Sequence, residues 1–131
     1  LAMVALVPDR PVPPAQARSL LPPTVSHGDA AANAGRAALL THAVTADPDL
    51  LLPATRDWLH QRQRGPVLGE SYELVTALRA EGLAAVISGA GPTVLVLGRR
   101  SRLATLSGRR FGSHHASWHS VGAGVQKLAG Q

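Results

Sequence analysis

The chain has 131 residues, 45% of them hydrophobic and 16% charged, with no cysteine and a formal net charge of +5. That balance suits one folded domain with a single core, excludes a disulfide framework or thiolate metal site, and is unlike the charge-rich composition of disordered chains. No apolar run approaches the roughly 20 residues that span a bilayer, and no leader-like basic-then-apolar pattern opens the chain, so a cytoplasmic protein with no membrane partner is expected.

Charge is unevenly placed. Residues 1–65 carry six basic against five acidic groups, and residues 66–131 carry seven against three. Arg99, Arg100, Arg102, Arg109 and Arg110 lie in a stretch free of carboxylates, which reads as a solvated face or as an attractor of phosphate-bearing partners. Position 1 is Leu and an apolar run begins at once, so the chain reads as a fragment.

Residues 1–7 are apolar, short and stopped by Pro8, as in a buried strand. Pro11, Pro13 and Pro14 make a loop poor in donors; Pro14 fits the first turn of a short helix over residues 15–21, which Pro22 and Pro23 close. Ser26 and Asp29 have capping-box spacing at the start of a longer helix, with Ala30, Ala34, Ala37, Ala38 and Val44 as its apolar positions. Asp29, Asn33 and Arg36 share one polar face of that helix. Asp47 and Pro48 suit the start of another helix running through Trp58 and Leu59, with Pro53 as a second starting point.

Gly65-Pro66 reads as a break. Beyond it Glu70 or Ser71 opens a helix with Tyr72, Val75, Leu78 and Arg79 in register, ended by a left-handed Gly82. Residues 83–87 and 93–97 are two β-rich apolar runs joined by a short glycine loop. A helical stretch over residues 102–111 and a last strand around residues 118–126, weakened by Gly122 and Gly124, complete the order. The expected fold is one α+β domain over residues 1–131, ferredoxin-like in outline, with helices packed on one face of a small, mostly antiparallel sheet.

Glycines in the loop let the backbone approach a ligand and leave amides free to face an anion, although an ordinary hairpin turn has the same composition. His114, His115 and His119 offer imidazoles to zinc or nickel, but no acidic or cysteine ligand lies near them and the spacing fits no recognised site, so no metal is expected. His27 sits beside the helix cap and reads as a hydrogen-bonding residue.

The string Ser88-Gly89-Ala90-Gly91-Pro92-Thr93 resembles the third conserved motif of the GHMP kinases. Four upstream segments are similar to homoserine kinases of that family, in the same order: Val4-Ala5-Leu6-Val7-Pro8, Ala15-Gln16-Ala17-Arg18-Ser19-Leu20-Leu21-Pro22, Asn33-Ala34-Gly35-Arg36-Ala37-Ala38-Leu39-Leu40, and Leu59-His60-Gln61 through Arg64. The resemblance spans residues 2–98. It implies that Arg18 and Arg64 grip the carboxylate of an amino-acid substrate, for which a planar guanidinium fork is suited. Asn33 and Arg36 would stand near the site, or brace their helix against a loop, and residues 88–93 would close it. Pro13 and Pro14 stand where the family has Ser-Thr, and Arg62 and Gln63 replace its Pro-Tyr, so Arg62 competes with Arg64 for the second clamp position.

The resemblance further implies ATP-dependent phosphorylation of the L-homoserine hydroxyl to O-phosphohomoserine, in threonine biosynthesis, with Mg²⁺ bridging the phosphates. In the family the ATP loop belongs to the N-terminal half, and neither it nor a Walker-type Gly-x-x-x-x-Gly-Lys occurs here. The implied partners are L-homoserine and that N-terminal half, without which the chain would be inactive; a homodimer is compatible with the sequence. Two alternatives stand beside this reading: another GHMP kinase acting on a sugar or isoprenoid alcohol, and a free-standing ferredoxin-like module binding an amino acid or RNA. With 3% aromatic residues, stacking platforms for nucleic acid are scarce, so no nucleic-acid partner is expected.

Overall fold

The computed structural model describes residues 1–122. Strand β1 (Ala2–Pro8) is followed by α1 (Pro14–Ser19), α2 (His27–Thr45), a 3₁₀ turn (Pro48–Leu50), α3 (Leu51–Ala54), α4 (Gln61–Leu68) and α5 (Glu70–Ala80). Then come β2 (Ala84–Ile87), β3 (Val94–Gly98), α6 (Arg100–Leu103), a second 3₁₀ turn (Ala104–Leu106) and β4 (His114–Ser120). The four strands form one antiparallel sheet in the order β2-β3-β1-β4, the α+β, ferredoxin-like arrangement expected.

Alternation along the central strands sets the register. Ala2, Val4 and Leu6 of β1 are buried, and their partners Val94, Val96 and Gly98 of β3 share that face. A slip of one residue would turn all of them outward. Val75 and Leu78 of α5, Leu103 of α6, Leu106 and Phe111 complete this main core. Each fully buried Val or Leu contributes about 1.5–3 kcal/mol of transfer free energy. A smaller cluster joins Ala43 of α2, Leu51 and Ala54 of α3, and Ala84 of β2, with Leu97 packed against it. Ala84 and Leu97 are register partners on the opposite face, so α2 and α3 attach at the β2 edge of the sheet.

The local signals for α1, α2 and α5 act as their chemistry predicts. Pro14 occupies the first turn of α1, and the Ser26 hydroxyl accepts from Asp29 N at 3.0 Å while donating to the Asp29 carboxylate at 2.8 Å. At the end of α5, Gly82 N donates to Arg79 O and Leu83 N to Leu78 O, which turns the chain into β2.

Elsewhere the structure corrects the expectations. The helix expected to reach Trp58 and Leu59 ends at Ala54, because Asp57 organises a turn there. Gly65-Pro66 lies inside α4: only one ladder donor is lost at Pro66, and the Tyr72 ring packs 3.1 Å from where a Gly65 Cβ would stand. The helix expected over residues 102–111 begins at Arg100 and gives way to 3₁₀ geometry, which turns Leu103 and Leu106, three residues apart, into the same core. Strand β4 starts four residues earlier than expected; of the expected strand, residues 123–126 lie outside the described residues. In α2 the expected apolar positions Ala30, Ala34, Ala37, Ala38 and Val44 are exposed, and Ala43 is the buried one.

Candidate functional site

A cleft of about 550 Å³ lies between α1, α2, the segment after α3, α4 and the glycine loop. Its α2 wall presents Asn33, Arg36, Ala37 and Leu40, which follow one another at helical spacing on a single face. Arg18 of α1, Arg64 of α4, and Gly89 and Ala90 of the loop line the same space. The structure therefore brings together Arg18, Asn33, Arg36 and Arg64, which are scattered over 47 positions of sequence. Of the loop residues expected to close the site, only Gly89 and Ala90 reach this cleft; Pro92 lines a different one, beside Pro8 and Leu68.

Arg64 lines the cleft, and Arg62 is exposed outside it. The Arg64 side chain is 8% exposed, donates from Nη1 to Gly89 O at 3.1 Å, and has a buried Nε without a partner. No carboxylate pairs with it among the described residues. A buried guanidinium without a counter-ion is costly, and an anionic ligand would compensate it.

Asp57 holds the entry to α4. Its carboxylate accepts from the backbone N–H groups of Leu59 at 3.2 Å, His60 at 2.9 Å and Gln61 at 2.5 Å, and from the His60 ring at 3.2 Å. Burial pushes the Asp57 carboxyl up, but the donors from Gln61, His60 and Leu59 outweigh it and hold the pKa below the ordinary value. Gln61, on the first turn, accepts from Ile87 N at 2.6 Å, and so ties α4 to the end of β2.

Asn33 braces its helix: Oδ1 accepts from Trp58 N at 3.2 Å. The guanidinium carbons of Arg36 and Arg56 lie 5.6 and 4.8 Å from the Trp58 ring centre. Arg79, behind this wall, donates to Thr55 Oγ1, Ala85 O and Leu52 O at 2.9, 3.1 and 2.7 Å. Burial, with repulsion from Arg56, lowers its pKa. The cleft lining thus holds four guanidiniums, from Arg18, Arg36, Arg56 and Arg64, against one carboxylate, Asp57, already saturated by donors.

Asp57, Gln61 and Arg56 were not singled out from sequence. For Asp57 a signal existed: an Asp three residues before His60 is a local capping pattern.

The loop bends so that Ser88 N bonds Thr93 O and Gly91 N bonds Ser88 O. Among the described residues the Gly89 and Ala90 N–H groups have no acceptor, which leaves two adjacent free donors on the loop that borders the cleft. Gly91 takes φ 89°, and a Cβ there would overlap Leu68 Cδ2, so only glycine fits this bend.

The remaining candidates are structural. His114 is buried: its Nδ1–H donates to Phe111 O at 3.1 Å, and its Nε2 shares a hydrogen bond with Ser71 Oγ, 2.8 Å away. His115 meets Asp9, and His119 meets Ser117. Among the described residues no three His, Asp or Glu side chains gather as a metal site. In the basic stretch Arg99 pairs with Asp49, Arg109 with Glu81, and Arg102 bonds Glu81 O, which leaves less free charge than the sequence suggests.

Among the described residues, no helix is long and apolar enough to cross a membrane. A homoserine kinase of Streptomyces avermitilis is 52% identical over 129 residues, covering 96% of this chain and 42% of that protein. Homoserine kinases of Streptomyces coelicolor, at 50% over 129 residues, and Mycolicibacterium smegmatis, at 46% over 127 residues, cover 96% and 95% of the chain. The chain spans only 42% and 40% of those two relatives. The crystal structure of homoserine kinase from Cytophaga hutchinsonii superimposes with a TM-score of 0.74 at 18% identity, over 92% of this chain and 41% of that one, which shows the shared fold. The model of the GHMP kinase C-terminal domain matches residues 29–109, so the chain belongs to the GHMP kinases and carries their C-terminal domain.

Proposed function

We propose that this domain forms the amino-acid-binding side of a homoserine kinase, with the substrate carboxylate held by Arg64 and Arg18. The observation that carries the reading is Arg64: a nearly buried guanidinium, without a carboxylate partner among the described residues, lining a cleft rich in arginine. A carboxylate there gains charge-assisted hydrogen bonds of about 1.5–3 kcal/mol each. Arg36 adds positive charge to the same wall, and Asn33 keeps α2 seated against the Trp58 segment. A sugar or isoprenoid alcohol has no carboxylate to offer these groups, which favours the amino acid over those substrates.

The reaction in this reading is transfer of the γ-phosphate of ATP to the homoserine hydroxyl, with O-phosphohomoserine as product. The described residues do not fit a magnesium site, because Asp57 is the only carboxylate of the cleft and its oxygens already accept from Leu59, His60 and Gln61. Nucleotide and metal binding are therefore assigned to the portion of the homoserine kinases that this chain does not match. The chain's contribution is to bind and orient the acceptor, and alone it transfers no phosphate. Joining it to the N-terminal portion of the Streptomyces avermitilis relative tests this. A coupled assay should then show ATP-dependent turnover with L-homoserine and none with galactose or mevalonate. Turnover by the 131-residue chain alone, or preference for an uncharged alcohol, would overturn the reading.

A further inference from the structure

Arg64 and Gln61 stand one turn apart on α4, and each is fastened to the same piece of backbone. Gln61 Oε1 accepts from Ile87 N, the last residue of the edge strand β2, at a place where no neighbouring strand supplies an acceptor. Arg64 Nη1 holds Gly89 O, two residues further on. The Gly89 carbonyl and the Ala90 N–H belong to one planar peptide unit and point in opposite directions, so whatever fixes the carbonyl also aims the amide. That amide has no acceptor among the described residues and points away from Arg64, to the other side of the loop.

We infer that Gln61 and Arg64 couple the two halves of the site: an anion gripped by Arg64 orders the Gly89-Ala90 peptide, whose N–H then serves a second, phosphate-bearing ligand. Gln61 is a positioning residue in this linkage, since it keeps α4 in place against the strand from which the loop departs. The inference rests on the carboxylate reading of Arg64 and adds cooperativity to it. Coupling of this kind is reciprocal, so each ligand tightens the other by the same factor.

The test uses this chain joined to the N-terminal portion of a relative, with calorimetric titration of L-homoserine in the absence and presence of β,γ-imido-ATP. In the wild type the nucleotide should tighten homoserine about fivefold or more. In Gln61→Leu that factor should fall towards one, whatever the change in homoserine affinity without nucleotide. Gln61→Glu, which keeps an acceptor for Ile87 N, should restore the coupling. As a readout independent of the variants, homoserine alone should slow amide exchange at Ala90 in the wild type. A wild-type factor of one, full coupling in Gln61→Leu, failure of Gln61→Glu to restore it, or unchanged exchange at Ala90 each overturns the linkage while leaving the carboxylate reading intact. Absence of homoserine binding by the wild type sinks both.

Discussion

Replacing Arg64 with Met separates a functional arginine from a structural one. The substitution removes the charge and keeps an unbranched chain in a site where the side chain is 8% exposed. Two opposing effects act on stability. Loss of the bond to Gly89 O costs about 1 kcal/mol, and relief of a buried, unpaired guanidinium returns a comparable amount or more. The unliganded protein should therefore unfold in urea within about 1 kcal/mol of the wild type. Substrate binding has no such compensation. Losing one charge-assisted contact of about 1.5–3 kcal/mol should raise the homoserine KM roughly ten- to a hundredfold, read by a coupled kinase assay on the chain joined to its N-terminal portion. An unchanged KM combined with a stability loss above about 2 kcal/mol would refute the reasoning, since Arg64 would then hold the fold and not the ligand.

Arg62→Ala should change homoserine KM by less than about twofold in the same assay, because that side chain is exposed and outside the cleft. Arg79→Met should destabilise the domain by about 2–4 kcal/mol in urea unfolding, since Leu52 O, Ala85 O and Thr55 Oγ1 lose a charged donor together. Asp57 has a folded pKa below its unfolded value, so its stabilising contribution is present above about pH 4 and is lost as pH falls through the folded pKa. Melting temperatures measured between pH 7 and pH 2 should fall less steeply at the acid end for Asp57→Asn than for the wild type.

Much of the fold was legible because its signals are local. Pro14, Ser26 with Asp29, and the Leu78 to Gly82 turn each satisfy their own backbone groups with near neighbours, and β1 and β3 are short apolar runs bounded by Pro8, Pro92 and Gly98. What was hidden depends on contacts far along the chain. Helix α4 contains Gly65 and Pro66, ordinarily a stop, yet it persists because Asp57 caps it and Tyr72 fills the space beside Gly65. Strand β4 is exposed at every position after His114, so it has no apolar alternation, and only its pairing with β1 defines it. The same division holds at the site. Arg18, Asn33, Arg36 and Arg64 are expected at a site through a family resemblance, and the structure gathers all four in one cleft. Gln61 and Arg56 were invisible, because a glutamine bonded to a strand 26 residues away and an arginine stacked on Trp58 look like surface residues in a sequence.

The central claim is that the arginine-lined cleft recognises a carboxylate, and removing that group from the ligand tests it most directly. On the chain joined to its N-terminal portion, calorimetric titration should show L-homoserine binding at least about tenfold tighter than 3-aminopropan-1-ol, which keeps the amine and hydroxyl and lacks the carboxylate. Equal affinity for the two would contradict the account.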